Sequence, residues 1–102
     1  MKYYKLNLDH SITEIPRDEY HNAGIKKIVR SSRGDVDVST VFLGMDYDGA
    51  MGIFETMIFG GPHDQEYCVR ASTYDEAIQE HIKACKVAYD NYDDNEIFID
   101  ML

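Results

Sequence analysis

At 102 residues, with nineteen Asp and Glu against ten Lys and Arg and a formal charge of −9, the chain is the size of one domain with a single two-layer core that buries about 60 to 65% of its unfolded surface. So much negative charge opposes the phosphate-directed term that drives most DNA and RNA binding, and suits either solubility or a basic protein partner. Two cysteines, Cys68 and Cys85, form no CxxC pair, and without a signal-peptide pattern or an apolar run near about 18 residues the expectation is a cytoplasmic protein with reduced thiols and no membrane insertion.

Met1 to Leu8 alternates imperfectly, with Tyr4, Leu6 and Leu8 on one side, which predicts an edge strand. Asp9, His10 and Ser11 mark a turn, Ile12 to Pro16 a short return, and Pro16 followed by Asp18 and Glu19 a short helix ending near Gly24. Ile25–Arg30 is apolar and basic, and Ser31 to Asp35 reads as the turn that joins it to a strand over Val36–Met45. Apolar residues on both sides of that second strand place it centrally. After the turn at Asp46 to Gly49 comes Met51–Phe59, closed by Gly60, Gly61 and Pro62, and then Glu66–Arg70 as the next member of the same meander.

Thr73 followed three residues later by Glu76 is a capping box and opens a helix over Tyr74–Tyr89. Its apolar stripe is Tyr74, Ile78, His81 or Ile82, Cys85 and Tyr89. The expected fold is therefore α+β: an antiparallel meander of about four or five strands with one long C-terminal helix across one face. Residues 1–89 form the domain, and 90–102 an acidic extension, either docked as a last strand or mobile at an end.

The glycines make no phosphate-cradling loop. Asp46 and Asp48 share a loop but lack the further oxygens a calcium site needs, and His81 with Cys85 supplies only two of about four zinc ligands. No metal and no cofactor are expected. Neither cysteine has a spaced base and orienting group, so catalysis is not expected either. Glu55 and His81 stand out, because a carboxylate in an apolar strand and a histidine on an apolar helix face would each cost stability unless paired. Glu55 is accordingly expected to be partly buried within reach of His81 or Thr40, as a structural ion pair or as a ligand or acid–base unit.

Three stretches carry a resemblance: Val38 to Asp46 (VSTVFLGMD), Phe54 to Gly61 (FETMIFGG), and Tyr74 to Ala77 with His81. They resemble a family of small uncharacterised proteins of phages and prophages, in which an STVFLG-D run precedes an FETMVFGG run and a helix start with EA and GH. The likeness covers most of residues 3–88. It implies a phage-linked origin and no particular activity, with Thr40, Asp46, Glu55, Thr56 and His81 at recurrent family positions and so forming a candidate functional patch. Here the Tyr47 to Gly52 loop is shorter than the family's, Glu80-His81 replaces Gly-His, and the acidic tail runs past the usual end.

The functional expectation is a small acidic phage-type accessory protein that binds and modulates a host protein. One alternative is sequestration of a small nucleotide signal without turnover, with Lys26, Lys27, Arg30, Arg33 or Arg70 on phosphate and Tyr47 or Tyr74 on the base. Another is a purely structural interaction module. Direct nucleic-acid binding is not expected, and a homodimer stays open.

Overall fold

A computed structural model describes residues 1–102 as an α+β fold of two antiparallel sheets with helices packed against them. The elements are β1 (Lys2–Leu6), β2 (Ile12–Ile15), α1 (Arg17–Ala23), β3 (Lys26–Arg33), β4 (Val36–Phe42), β5 (Met45–Asp46), β6 (Phe54–Phe59), β7 (Cys68–Ala71), α2 (Tyr74–Ala88) and α3 (Glu96–Asp100), with a 3-10 turn at Gly61–His63. One sheet has the order β3-β4-β6-β7 and the other β2-β1-β5. No helix is long and apolar enough to cross a membrane.

The four-stranded meander follows the expected order, and the second sheet is what alternation alone did not anticipate. The run expected as one strand over Val36–Met45 breaks after Phe42. Gly44 turns the chain with φ 73°, and a Cβ there would lie 2.8 Å from the Tyr4 carbonyl oxygen and 2.9 Å from the Tyr20 ring. Only glycine combines that backbone with that approach. Its carbonyl accepts from Tyr4 N at 2.8 Å, so Met45 and Asp46 pair with β1 instead of continuing β4. Gly60 is equally constrained, with φ 87° and the Asp35 carbonyl oxygen 2.2 Å from a would-be Cβ.

Two boundaries move for a physical reason. β3 runs on to Arg33, which pairs with Val36, so Gly34 and Asp35 alone make the turn and Ser31 lies within the strand. Residues 90–102 form neither a last strand nor a loose end: they carry α3, and Tyr92 and Ile97 are buried with Val29, Val38 and Ile58. The long helix is thus not the C-terminal element.

α2 begins at the expected cap, with Glu76 N donating to Thr73 Oγ1 at 3.1 Å. Glu76 answers by accepting from Ser72 N at 3.3 Å. Its buried face is Ala77, His81, Ile82, Ala84 and Cys85, because two alanines let the helix approach the sheet closely. Tyr89 stands just past the helix and its hydroxyl donates to the carbonyls of Val36 at 2.6 Å and Ser31 at 3.1 Å.

Beneath α2 the core divides in two. One apolar cluster gathers Val29, Val38, Ile58, Ile82, Ala84, Cys85, Tyr92 and Ile97. The other gathers Tyr4, Phe42, Ile53, Phe54, Ala71 and Ala77. Between them runs a belt of polar side chains.

Candidate functional site

Inward positions along β3, β4 and β6 build the belt. Thr40 lies opposite Thr56 in the ladder, and Val29 lies opposite Thr40. Two residues after Val29, Ser31 points to the same side as Val29. His81 comes down from α2 into this row, and Ser31, Thr40 and His81 are each 0% exposed. No buried side-chain nitrogen or oxygen in the chain lacks a partner, which is the condition under which a polar core costs little.

Donor and acceptor chemistry fixes the direction of every bond in the belt. The ionised Asp100 carboxylate can only accept, so the single Ser31 hydroxyl proton goes to Asp100 Oδ2. Ser31 Oγ, 2.8 Å from His81 Nε2, must then accept, which places the imidazole proton on Nε2. His81 Nδ1 is left as an acceptor and takes the Thr40 hydroxyl proton at 2.8 Å. Thr40, its proton used, accepts from Thr56 at 2.6 Å. All donors therefore point one way, from Thr56 through Thr40, His81 and Ser31 to Asp100. At that end Arg33 donates to Asp100 Oδ1 at 3.1 Å and the Tyr92 hydroxyl to Oδ2 at 3.2 Å. The Arg33 guanidinium also lies over the rings of Tyr89 and Tyr92, 5.5 and 5.8 Å from their centroids.

Burial holds His81 neutral by lowering its pKa to about 4, against the opposing pull of the Asp100 charge. Burial alone would raise Asp100, but hydrogen bonds from Ser31 and Arg33 outweigh it and keep the carboxyl below its ordinary value. Burial likewise raises the Cys85 thiol and pushes Tyr89 up to about 12. In a nucleophilic triad the imidazole lies between hydroxyl and carboxylate. Here the hydroxyl lies between the other two, and none of the chain's three surface cavities is lined by Ser31, Thr40, Thr56 or His81. The belt's chemistry is to seat α2 and α3 on the sheet in one register.

The sequence-derived patch is thus split three ways. Thr40, Thr56 and His81 meet in the belt. Glu55 is not within reach of them, which corrects the expected pairing: β6 alternates, Phe54, Thr56 and Ile58 face the core, and Glu55 points to the opposite side. Its carboxylate accepts from Arg70 Nε at 3.0 Å, with 18% of its side chain exposed. Asp46 stands apart on β5, 6% exposed, its Oδ1 accepting from Gly49 N at 3.0 Å and Met51 N at 3.3 Å.

The five cations do not converge either. Arg30 pairs with Asp37 at 2.6 Å, Arg70 with Glu55, and Arg33 with Asp100 and with Glu96 at 3.7 Å. Lys26 and Lys27 stand exposed at the start of β3. Among the cavities, one of about 380 Å³ is lined by Lys2, Tyr4, Asp46, Tyr47 and Met51 among others, one of about 400 Å³ by Arg33, Tyr89, Tyr92 and Glu96, and one of about 280 Å³ by Asp9, His10 and Tyr74. Tyr47 and Tyr74 therefore line different cavities. No three His, Cys, Asp or Glu side chains lie close enough together to hold a metal ion.

Ser31, Asp100 and Tyr92 belong to the belt and were not singled out from sequence. Ser31 had a usable signal, since it continues the inward phase of Val29. Asp100 had none, because Ser31 and Arg33, which tie it to the belt, lie more than sixty residues away.

Compared with protein-family models, with curated proteins and with solved structures, the chain finds no match in any of the three.

Proposed function

We propose that this chain is a non-catalytic accessory protein of the phage type, acting in the cytoplasm by binding a basic surface of a host protein and so modulating it. The observation that carries the reading is the outer face of α3. Phe98 and Ile99 are 66% and 69% exposed and Leu102 wholly so, while Ile97 beside them is buried and Asp100 is held by Ser31, Arg33 and Tyr92. Exposed apolar side chains are ordinary when scattered and informative when grouped. Phe98 and Ile99 are neighbours on a helix fixed in place, with Leu102 just beyond its end, so little ordering entropy opposes docking.

Charge selects the partner. Five of the thirteen residues 90–102 are acidic and none is basic, on a chain of net charge −9. A segment that offers apolar anchors between Lys and Arg complements both the patch and its rim. The resemblance of the strand motifs to phage and prophage proteins supplies the host-protein part of the proposal. Nucleotide sequestration has weaker support, because three of its five cations are already in ion pairs and no cavity gathers two of them.

The test is recovery of tagged protein from host extract. Removing the whole tail is unsuitable, since Ile97 and Asp100 are part of the packing, so the variant is F98S with I99S. One specific protein that co-purifies with the parent, is lost with the double variant and weakens at high salt is the expected result. A stoichiometric nucleotide released on denaturation, and lost in K27A or R30A, would favour sequestration instead.

A further inference from the structure

Asp46 is a carboxylate with half of its hydrogen-bonding capacity unused. Oδ1 accepts from two backbone amides, Gly49 N and Met51 N, and so ties down the loop that follows β5. Oδ2 accepts no hydrogen bond, and no cationic nitrogen of the chain forms a salt bridge with Asp46. The residue as a whole is only 6% exposed. Because every fully buried side-chain oxygen has a partner, Oδ2 keeps some contact with solvent, and Asp46 is one of the residues that line a cavity of about 380 Å³.

Apolar surface supplies much of the rest of that cavity, through Met1, Tyr4, Tyr47 and Met51. Tyr47 is 61% exposed, a large ring left unpacked on the wall of a concave site, and its hydroxyl reaches only the Met45 sulfur at 3.7 Å. Lys2 lies across the strand pair from Asp46, but its ammonium is turned toward Glu14 at 4.0 Å. A pocket of a few hundred Å³ with an apolar wall and one directed polar group is the usual form of a small-molecule site. Here the directed group is a negative acceptor, nearly enclosed, on a molecule whose overall charge draws cations toward it.

The geometry points to a binding site for a small organic monocation: a primary ammonium or a guanidinium that donates to Asp46 Oδ2, carried on a flat apolar body that lies against Tyr47, Tyr4 and Met51. The charge-assisted hydrogen bond fixes orientation, and the aromatic and thioether wall supplies contact area and a ring face for the cation. Lys2 at the rim disfavours a second positive charge on the ligand. The site shares no residue with the α3 patch, so it stands or falls independently of the proposed partner binding.

D46N separates the two roles of the carboxylate. Its amide oxygen can still accept from Gly49 N and Met51 N, so the loop keeps its shape, while Oδ2 becomes a donor that repels a cation. The experiment is a titration of backbone amide shifts in the full chain with tyramine, with benzylguanidine as a guanidinium monocation on an aromatic ring, and with p-cresol as the tyramine ring without its ammonium. Saturable shifts confined to the Met1–Tyr4 and Asp46–Met51 segments are expected with at least one of the two cations. D46N should weaken that binding by about tenfold or more while the other amide shifts stay in place, and p-cresol should bind about tenfold more weakly than tyramine if tyramine is the ligand taken. Absence of saturable shifts with both cations, equal affinity in D46N, or p-cresol binding as well as tyramine would each overturn the assignment.

Discussion

Thr56 and Glu55 are neighbours on β6, and they show how differently the two faces of the four-stranded sheet treat a polar residue. Thr56 faces α2, is 2% exposed, and belongs to a hydrogen-bonded row in which every member depends on the next. Glu55 faces away from α2, keeps part of its carboxylate in water, and leans on Arg70, whose side chain is 47% exposed. On the covered side each group has exchanged water for a protein partner and has no substitute when that partner is lost. On the open side water can replace Arg70. A polar side chain's identity thus says less about its energetic weight than the phase of the strand that carries it.

The largest difference should come from His81. H81A removes the donor to Ser31 and the acceptor for Thr40 and leaves a void between the two apolar clusters, so a loss of about 3 kcal/mol or more is expected in denaturant unfolding. Proton binding attacks the same point. The unfolded imidazole titrates near about 6.5 and the folded one near 4, so between those values the unfolded state binds more protons and stability falls as pH falls. Roughly 3 kcal/mol should be lost over that window, read from unfolding midpoints at pH 7 and pH 4. Asp100, held below its ordinary value in the fold, adds a further loss only at lower pH, as its carboxylate is protonated.

D100A comes next. It strips Ser31, Arg33 and Tyr92 of a shared acceptor, with an expected cost of about 2 kcal/mol, and hydrogen exchange should speed up at the α3 amides before those of β4. E55Q should cost the least, about 0.5 kcal/mol or less in the same unfolding assay. A cost from E55Q equal to that of D100A would erase the contrast between the two faces.

The meander and the α2 cap were legible because both are local: alternation, glycine-rich turns and a Thr-x-x-Glu signal lie within a few residues of what they determine. The phase of β6 was not legible. By alternation Phe54, Thr56 and Ile58 fall on one side and Ile53, Met57 and Phe59 on the other, nearly equal in hydrophobicity, so the pattern does not say which set faces the helix, and in the structure Ile53 precedes β6 and is buried with Phe54. What decides it is the matched pair of Thr40 and Thr56 with His81 above, a contact across forty residues. The same limit hid α3, where a run of aspartates reads as solvated until Tyr92 and Ile97 are seen in the core. Of the three patch residues that meet, His81 stood out by its place on an apolar helix face, Thr40 and Thr56 entered through the resemblance, and the partners that complete them, Ser31 and Asp100, were read as a turn and a tail.

The direction of the chain from Thr56 to Asp100 is the claim on which the seating of α3 rests, and the imidazole of His81 reports it directly. Long-range proton–nitrogen correlation spectra of the histidine rings, recorded from pH 7 down to pH 5.5, give both its tautomer and its charge. The expected result is a neutral ring throughout, with the proton on Nε2 and an unprotonated Nδ1. A proton on Nδ1, or an imidazolium that forms near pH 6.5 as in an exposed histidine, would contradict it.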